Sequence, residues 1–320
     1  MIYNIMCGLF GFTNYGNTRN LSRLTNELAF ESAIRGTDAC GIAYRKGKRI
    51  HVDRYATAAY NVRFKHPDDI RALIGHTRHA TQGEAKCRQN NHPFFGKAGD
   101  TGFALAHNGI ITNERELRKQ YALPHTDVET DSYVAVQLLE QETTLVVSTI
   151  KRMAEAIRGS FSFAILDEYD NLHLVRGDSP IAVLNFPGER LYVFASTEDI
   201  LWRALVGTPL FESLKAGLYS PVPLGEGDIL TIRPDGNLHR ETFAFKRPFL
   251  RPEWWSVGLD PLTPYCNDFA IGDEDDSDYI AILKDVAMER GIDPDDVDAL
   301  IAEGFSYEEI EDMIYFGVEM

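Results

Sequence analysis

Along residues 7–245, short apolar segments that suit β-strands alternate with segments that suit helices. Turn-forming residues at 168–171, 187–189 and 234–236 separate several of these segments, which predicts strand–turn–strand pairs and therefore antiparallel sheet. The predicted strands are 8–12, 41–44, 50–55, 103–106, 161–166, 172–175, 181–186, 191–195 and 229–232.

A second pattern, with apolar residues three or four positions apart, predicts helices over 20–34, 130–140 and 145–157. The last of these stops before Gly159, a residue type that commonly ends helices. Runs of strands interrupted by paired helices predict an α+β fold in which helices are layered on sheets.

The C-terminal part of the chain differs from the rest in composition. Residues 246–272 hold four prolines together with Trp254 and Trp255, and we interpret them as a linker that packs against other protein surface. Residues 273–320 are predicted to form an acidic tail of three short helices. These helices are 277–290, one that begins at Pro294 behind an Asp293 cap and stops near Gly304, and one that begins at Ser306.

The formal net charge of −16 belongs to this tail rather than to the whole chain. Residues 267–320 contain 18 acidic and 2 basic residues, which leaves 30 of each in residues 1–266. A neutral body with an acidic tail lacks the basic surface that attracts nucleic acids and anionic membranes. We therefore expect no nucleic acid and no membrane as a partner.

The 320 residues suffice for one large domain with an appendage, and no segment approaches the roughly 20 apolar residues of a membrane helix. Cysteines at positions 7, 40, 87 and 266 form neither a close pair nor a zinc-binding spacing. Widely spaced cysteines are typical of a reducing compartment, so we expect a cytoplasmic protein without a metal or another cofactor.

Cys7 is the first candidate for chemistry, because Met6 directly precedes it. If translation starts at Met6, or if residues 1–6 are trimmed, Cys7 becomes the first residue and carries both a thiol and a free α-amine. Such a residue combines a nucleophile with a base that titrates at roughly 7.7–8.0, close to neutral pH. An ordinary buried first strand explains the apolar residues around Cys7 equally well.

Two charged segments follow. Arg35 and Asp38 lie in a glycine-flanked turn between a predicted helix and a predicted strand, where a structural ion pair is the simpler interpretation. Arg78 follows a short apolar run and can bind a carboxylate through two parallel hydrogen bonds. His76 and His79 flank Arg78, and a metal site is the less favoured alternative there because no carboxylate accompanies them.

Asn108 and Gly109 lie between two apolar runs and first predict a hairpin turn, which requires positive φ. The Asn108 amide and the Gly109 N–H can also converge on one oxygen atom and so form an oxyanion hole. Asp131 lies in the first turn of a predicted helix, where acidic residues are favoured electrostatically. Its alternative role is recognition of a substrate ammonium group.

Taken together and in this order, these segments resemble the class II glutamine amidotransferase domain, which is an N-terminal-nucleophile hydrolase. The resemblance covers about residues 7–245 and is strongest to the glutaminase half of the glucosamine-6-phosphate synthases. The matching segments are Cys7-Gly8 with Gly11-Phe12, Arg35-Gly36-x-Asp38 with Gly41-Ile42-Ala43, Gly75-His76-Thr77-Arg78 with Ala80-Thr81, Asn91-His92-Pro93, His107-Asn108-Gly109-Ile110, Glu129-Thr130-Asp131, Arg158-Gly159-Ser160, Ser179-Pro180 and Gly227-Asp228-Ile229.

The resemblance implies a four-layer αββα sandwich with the active site at the first strand. It also implies that Cys7 attacks the side-chain amide of glutamine while Asn108 and Gly109 hold the tetrahedral oxyanion. Arg78 would bind the α-carboxylate of the substrate, and Asp131 would bind its α-ammonium group. The other substrate-binding residues that the resemblance suggests are Arg35, His79 and Thr81.

The chain departs from the family pattern in two places. His79 stands where the glucosamine-6-phosphate synthases usually have Trp, and Gln82 stands where they often have His, within a loop expected to close over glutamine with Gly83 as its hinge. The larger departure is the extension 1–6, because Cys7 is inert in this mechanism while Met6 remains attached. An internal start at Met6 with methionine removal, or a short self-cleaved propeptide, would expose Cys7.

The relatives carry a synthase domain after the glutaminase, whereas 75 residues follow position 245 here and contain neither a GxGxxG motif nor a P-loop. We therefore expect a stand-alone glutaminase that delivers ammonia to a separate acceptor enzyme. One alternative is an amidase that acts on another γ-glutamyl compound. Another is a non-catalytic module that senses glutamine or scaffolds a partner and whose Cys7 stays blocked by residues 1–6.

Overall fold

The computed structural model describes residues 7–80 and 82–246, together with residues 280, 283, 284, 287, 288, 292–303, 305, 310 and 313 of the C-terminal part. The chain divides into two compact units, Met1–Arg247 and Pro248–Met320. The predicted domain 7–245 lies within the first unit. Apart from residue 246, the predicted linker 246–272 lies outside the described residues.

Thirteen strands are present in the described residues of the first unit. They are β1 (Gly8–Asn14), β2 (Ala39–Lys46), β3 (Arg49–Tyr55), β4 (Ala72–Arg78), β5 (Phe94–Ala98), β6 (Thr101–Ile111), β7 (Gly159–Asp167), β8 (Leu172–Arg176), β9 (Ala182–Phe186), β10 (Leu191–Ala195), β11 (Ser220–Pro221), β12 (Asp228–Ile232) and β13 (Leu238–Thr242).

These strands form two antiparallel sheets. The first has the order β11-β9-β10-β1-β4-β2-β3, so β1 lies at its centre between β10 and β4. The second has the order β13-β12-β8-β7-β6-β5, with the long strands β6 and β7 side by side. The register pairs Gly8 of β1 with Thr77 of β4, which brings the start of the first strand beside the end of the fourth.

The helices lie outside the two sheets. α1 and α5 pack together against the first sheet, while α3 packs on β5 and α4 on β12 of the second sheet. The resulting four layers confirm the predicted α+β class and the αββα sandwich. The helices of the first unit are α1 (Ser22–Ser32), α2 (Glu114–Gln120), α3 (Tyr133–Glu140), α4 (Val147–Ala156), α5 (Glu198–Val206) and α6 (Leu210–Lys215).

The alternation along β7 shows how the sequence builds these layers. Phe161, Phe163 and Ile165 point to the helix side and join the core under α3 and α4. Ala164 and Leu166 point to the other side and join the core between the two sheets. Both faces of the strand are therefore buried, because each lies between two layers of the sandwich.

Several boundaries differ from the sequence prediction. The helix predicted over 20–34 covers Ser22–Ser32 and then tightens into a 3₁₀ turn at Ala33–Arg35, and the one predicted over 130–140 starts only at Tyr133. Helix α5 was not predicted, although Thr197 caps it by accepting a hydrogen bond from the Ile200 N–H. A capping threonine before acidic residues is the signal that could have revealed this helix.

In the second unit, α7 (Pro294–Glu303) begins directly after Asp293, where the sequence predicts a helix start. The Asp293 carboxylate accepts a hydrogen bond from the Asp295 N–H, and Val297 and Leu300 are buried. Most residues of the predicted helix 277–290 and of the helix predicted from Ser306 lie outside the described residues. No helix in the described part of the chain combines the length and apolar character needed to cross a membrane.

Candidate functional site

Cys7 lies immediately before β1, at one end of the sandwich. Its Sγ lies 3.5 Å from the carbonyl oxygen of His79, which follows β4. Burial raises the pKa of the Cys7 thiol from 9.0 to about 11, although the positive charges of Arg78 and Arg35 act in the opposite direction. The thiol is therefore protonated at neutral pH, and a nucleophilic reaction at this position needs a base.

Arg35 and Asp38 hold the backbone around this thiol. The Arg35 Nε–H donates a hydrogen bond of 3.1 Å to the carbonyl oxygen of Cys7. The Asp38 carboxylate accepts a hydrogen bond of 2.7 Å from the Ala80 N–H, and the Asp38 N–H donates to the Arg78 carbonyl. Both side chains thus contact the segments that flank the thiol, a role that the sequence did not assign to Asp38.

Arg78 is the last residue of β4 and is almost fully buried. One terminal nitrogen donates to the Asn91 side-chain oxygen at 2.7 Å, and the other donates to the carbonyl oxygens of Gly83 and Gln82. A guanidinium group has five N–H donors, so these three bonds leave two donors without a partner among the described residues. Arg78 can therefore tie down the following loop and still bind a carboxylate.

Asp131 lies two residues before α3 and is 8% exposed. One carboxylate oxygen accepts a hydrogen bond of 2.6 Å from the Ile111 N–H at the end of β6. The other accepts from the N–H and the hydroxyl of Ser132 at 2.7 and 3.2 Å. A carboxylate offers about four acceptor sites, so the bonds from described residues leave one site for a substrate ammonium group.

The loop after β4 connects these two charged groups. The Gln82 backbone accepts from Arg78, while its side-chain oxygen accepts from the Asp131 N–H at 3.3 Å. Gly83 has a φ of 76°, a conformation that favours glycine. The Nδ1 atom of His79 lies 3.9 Å from the Oδ2 atom of Asp38. Thr81 lies outside the described residues, so its substrate-binding role stays a prediction.

Asn108 and Gly109 do not form the predicted hairpin turn, because both lie inside the continuous strand β6. Gly109 does have positive φ, at 133°, and a Cβ atom there would lie 2.0 Å from the carbonyl oxygen of Ser160 on β7. The glycine is thus required by the close approach of β7 rather than by a turn. The Asn108 side chain is fully buried, and neither its Nδ2 nor its Oδ1 has a hydrogen-bond partner among the described residues.

Three buried histidines support the strands behind the site. His76 donates from Nε2 to the carbonyl oxygen of His107 at 2.9 Å, and His107 Nδ1 lies 2.8 Å from the Ser132 hydroxyl. The ring centroids of His92 and His76 lie 4.2 Å apart. Burial lowers the pKa of His76 to about 3, so this ring is neutral at physiological pH. No described group of histidine, cysteine and acidic residues is arranged to hold a metal ion.

The structure brings most of the predicted site residues to one end of the sandwich. The charges of Arg78, Arg35 and Asp131 all act on the Cys7 thiol. The bond from His76 to the His107 carbonyl places the first sheet directly beside Asn108. The arrangement offers a thiol, a guanidinium group, a carboxylate and an unpaired amide, which suits attack on an amide that carries an amino-acid head group.

Sequence comparisons find relatives for part of this chain. Residues 76–203 match the family model described as glutamine amidotransferase domain. The glutamine–fructose-6-phosphate aminotransferase (isomerizing) of Streptococcus pyogenes is 29% identical over 187 residues, which cover 56% of this chain and 30% of that enzyme. The enzyme of the same name from Staphylococcus epidermidis is 31% identical over 200 residues, which cover 60% of this chain and 32% of that enzyme. The chain thus spans about a third of the length of these relatives.

Solved structures share the fold. The glutamine phosphoribosylpyrophosphate amidotransferase of Bacillus subtilis superposes with a TM-score of 0.59 at 19% identity, covering 75% of this chain and 50% of that one. A structure described as the allosteric regulatory enzyme of purine biosynthesis superposes with a TM-score of 0.60, at the same identity and coverage.

Proposed function

Because this chain carries a class II glutamine amidotransferase domain, an enzyme domain of the N-terminal-nucleophile type, we propose that it hydrolyses the side-chain amide of glutamine. In this proposal the Cys7 sulfur adds to the amide carbon and forms a tetrahedral intermediate. Collapse of that intermediate breaks the C–N bond, releases ammonia and leaves a thioester on Cys7. Water then attacks the thioester and releases glutamate.

The observation that carries the proposal is the unpaired Asn108 amide. A buried side chain with no hydrogen-bond partner is rare and unfavourable, so its retention points to a ligand. The Asn108 Nδ2 and the Gly109 N–H would donate to the oxyanion that develops when Cys7 attacks. Donors of this kind stabilise the transition state more than the bound substrate, and this difference is what accelerates the reaction.

The proton chemistry requires a free amine on Cys7. A thiol with a pKa of about 11 has to lose its proton as it attacks. The α-amine of the same residue would accept that proton and then transfer it to the departing amide nitrogen, which leaves as ammonia. We therefore propose that residues 1–6 are absent from the active form, either through a start at Met6 or through trimming.

Substrate recognition would depend on the two opposite charges. The remaining Arg78 donors would bind the α-carboxylate of glutamine, and the remaining acceptor site of Asp131 would bind its α-ammonium group. A free α-amino acid head group carries both charges at a set separation. Other γ-glutamyl compounds share this head group, so they remain the alternative substrate class.

The ammonia acceptor is proposed to be a separate enzyme. The sequence relatives are named glutamine–fructose-6-phosphate aminotransferases, and this name supports the idea that nitrogen released from glutamine is passed to an acceptor.

A direct assay separates these possibilities. The protein is incubated with L-glutamine, or with a γ-glutamyl dipeptide at the same concentration, and glutamate and ammonia are both quantified. Glutaminase chemistry predicts glutamate and ammonia in equal amounts from L-glutamine. Preferential turnover of the dipeptide would favour the alternative amidase. Calorimetric binding of glutamine without turnover, by a chain that begins at Cys7, would favour the sensing module.

Replacing Arg78 with lysine is expected to raise the KM for glutamine about 10- to 100-fold. A lysine keeps the positive charge but cannot form two parallel hydrogen bonds to a carboxylate, and it releases the Asn91, Gln82 and Gly83 contacts. Initial rates over a range of glutamine concentrations measure this change.

Arg71→Lys is the matched control. Arg71 precedes the same strand β4 at its opposite end, where it donates to the Gly16 carbonyl. Its substitution should leave the KM unchanged. Equal KM values for the Arg78→Lys variant and the parent would exclude Arg78 from substrate binding.

A further inference from the structure

A row of polar side chains crosses the second sheet at the end where Cys7 lies. Asn108 of β6 is the register partner of Ser162 on β7, and Ser162 is the register partner of Arg176 on β8. On these strands Ala106, Ala164 and Leu174 lie two residues away from the row and belong to the core between the sheets. Residues two apart on a strand share a face, so the row also points between the sheets, towards β1.

The side chains in this row lack protein partners. The Ser162 hydroxyl and the Asn108 amide are both fully buried, and neither group has a hydrogen bond to any described residue. Nε of Arg176 is likewise buried without a partner, although another nitrogen of the same guanidinium group donates to the Leu224 carbonyl. Buried polar groups are nearly always paired, so we expect these groups to pair with one another, through a bridging water or with bound substrate.

The chemistry of the three groups sets a direction for hydrogen bonding along the row. Arginine can only donate, whereas a hydroxyl both accepts and donates. A chain that starts at Arg176 Nε–H would therefore run to the Ser162 oxygen, and it would direct the Ser162 proton at the Asn108 Oδ1. Cross-strand partners have Cβ atoms about 4.5–5.5 Å apart, which is close enough for one bridging water or a small side-chain rotation.

This direction matters because the two ends of an asparagine amide have opposite roles. An oxyanion requires the Nδ2 end, and the Oδ1 end in the same place would repel it. A donor behind Oδ1 holds Nδ2 towards the reacting carbon. On the basis of the proposed glutaminase function, we propose that Ser162 is the positioning residue that keeps the Asn108 amide in its oxyanion-binding orientation, with its own proton directed by Arg176.

Ser162→Ala is expected to lower kcat for glutamine hydrolysis about tenfold with little change in KM, because Asn108 remains but is no longer held in one orientation. This loss is smaller than the roughly 100-fold or greater loss expected when a donor itself is removed. If Ser162 had only a structural role, its substitution would instead lower the midpoint temperature of thermal unfolding. This temperature is therefore measured for each variant alongside its kinetics.

A second readout isolates the oxyanion. The γ-aldehyde of glutamate adds to a cysteine thiol: a C–S bond forms, the C=O double bond becomes single and the thiol proton moves to the Cys7 α-amine. The negatively charged oxygen of the adduct then occupies the oxyanion position. Glutamate itself binds without a tetrahedral centre. Ser162→Ala should therefore weaken binding of the aldehyde about tenfold and leave binding of glutamate unchanged.

Two controls make the test specific. Thr13 of β1 also has a fully buried hydroxyl without a partner among the described residues, but it lies at the opposite end of its strand. Thr13→Val should change neither kcat nor aldehyde affinity. In an Asn108→Ala background, Ser162→Ala should cause less than about a twofold further loss, because the group that it positions is gone.

The outcomes separate this inference from the function on which it rests. If the parent chain beginning at Cys7 neither releases glutamate nor binds the aldehyde, the proposed function fails. If the parent does both, and Ser162→Ala retains the kcat and aldehyde affinity of the parent within twofold, the positioning role is wrong. An undiminished tenfold loss in the Asn108→Ala background would also overturn it.

Discussion

Replacing Cys7 with alanine is expected to slow glutamate release from glutamine by about 10⁴- to 10⁶-fold. Without the sulfur no thioester can form, and the remaining groups can bind glutamine but cannot cleave its amide covalently. Fixed-time assays of glutamate release, on preparations of both proteins that begin at residue 7, measure the difference in rate. Calorimetry should still detect glutamine binding, because Arg78 and Asp131 are unchanged.

Cys87→Ala is the control for this variant. Cys87 is an exposed free cysteine in the loop after β4, and its removal should leave the rate at the parent value. Glutamate release at comparable rates by the Cys7→Ala variant and the parent would show that the reaction does not use this thiol.

Replacing Asn108 with alanine is expected to lower kcat roughly 100- to 1,000-fold, which corresponds to about 2.7–4 kcal/mol of transition-state stabilisation. The KM should change little, because the amide is proposed to contact the oxyanion rather than the amino-acid head group. Steady-state kinetics on the variant test both statements. A rise in KM of about 100- to 1,000-fold with unchanged kcat would instead assign Asn108 to substrate binding.

The same substitution should not lower stability. The Asn108 Nδ2 has no partner among the described residues before substrate binds, and an unpaired buried group of this kind costs about 1–3 kcal/mol, so its removal offsets the small cavity that alanine leaves. The thermal midpoint should therefore stay at the parent value or rise. Asn185→Ala, on β9, is the comparison: Asn185 accepts a hydrogen bond of 3.0 Å from the Tyr15 hydroxyl, and its loss should lower the midpoint without affecting kcat.

The fold class was predictable because a short apolar segment bounded by turn residues is a local feature of the sequence. The predicted segments at 172–175 and 191–195 agree with β8 and β10 to within one residue. The Asn108-Gly109 pair was misassigned as a turn, since its composition is the same in a hairpin and in a strand that another strand approaches closely. Only the neighbouring strand β7 decides between the two, and its position is not a local property.

Some residues of the site could be identified from the sequence and others could not. Cys7, Arg78 and Asp131 could be selected because each residue type suits a specific step of amide hydrolysis. Ser132 and Ser162 could not be selected from the sequence, because the contacts of each serine depend on which strand or helix lies beside it. The pairing of Asn108 with Ser162 spans more than fifty residues and follows from the register of β6 and β7 alone. Such residues can be recognised only after the chain has been folded.

The arrangement around the site also favours function over stability. Asn108, Ser162 and both ring nitrogens of His92 are buried without partners in the described part of the chain. Groups of this kind are normally removed from protein interiors because they weaken folding. Several unpaired polar groups lie together near the site. This pattern is expected where binding or catalysis requires buried polar groups that remain available to bind a ligand.

The central claim is that the Cys7 thiol acts beside its own free α-amine, and one measurement tests it most directly. Two preparations of the same chain are compared, one that begins at Cys7 after cleavage of a removable leader and one whose mass and first residues show that Met1–Met6 remain. We predict glutamate release from the first and a rate lower by about 10²- to 10⁴-fold from the second. Equal rates from both preparations, with Met-Ile-Tyr read at the start of the second after the assay, would contradict the account.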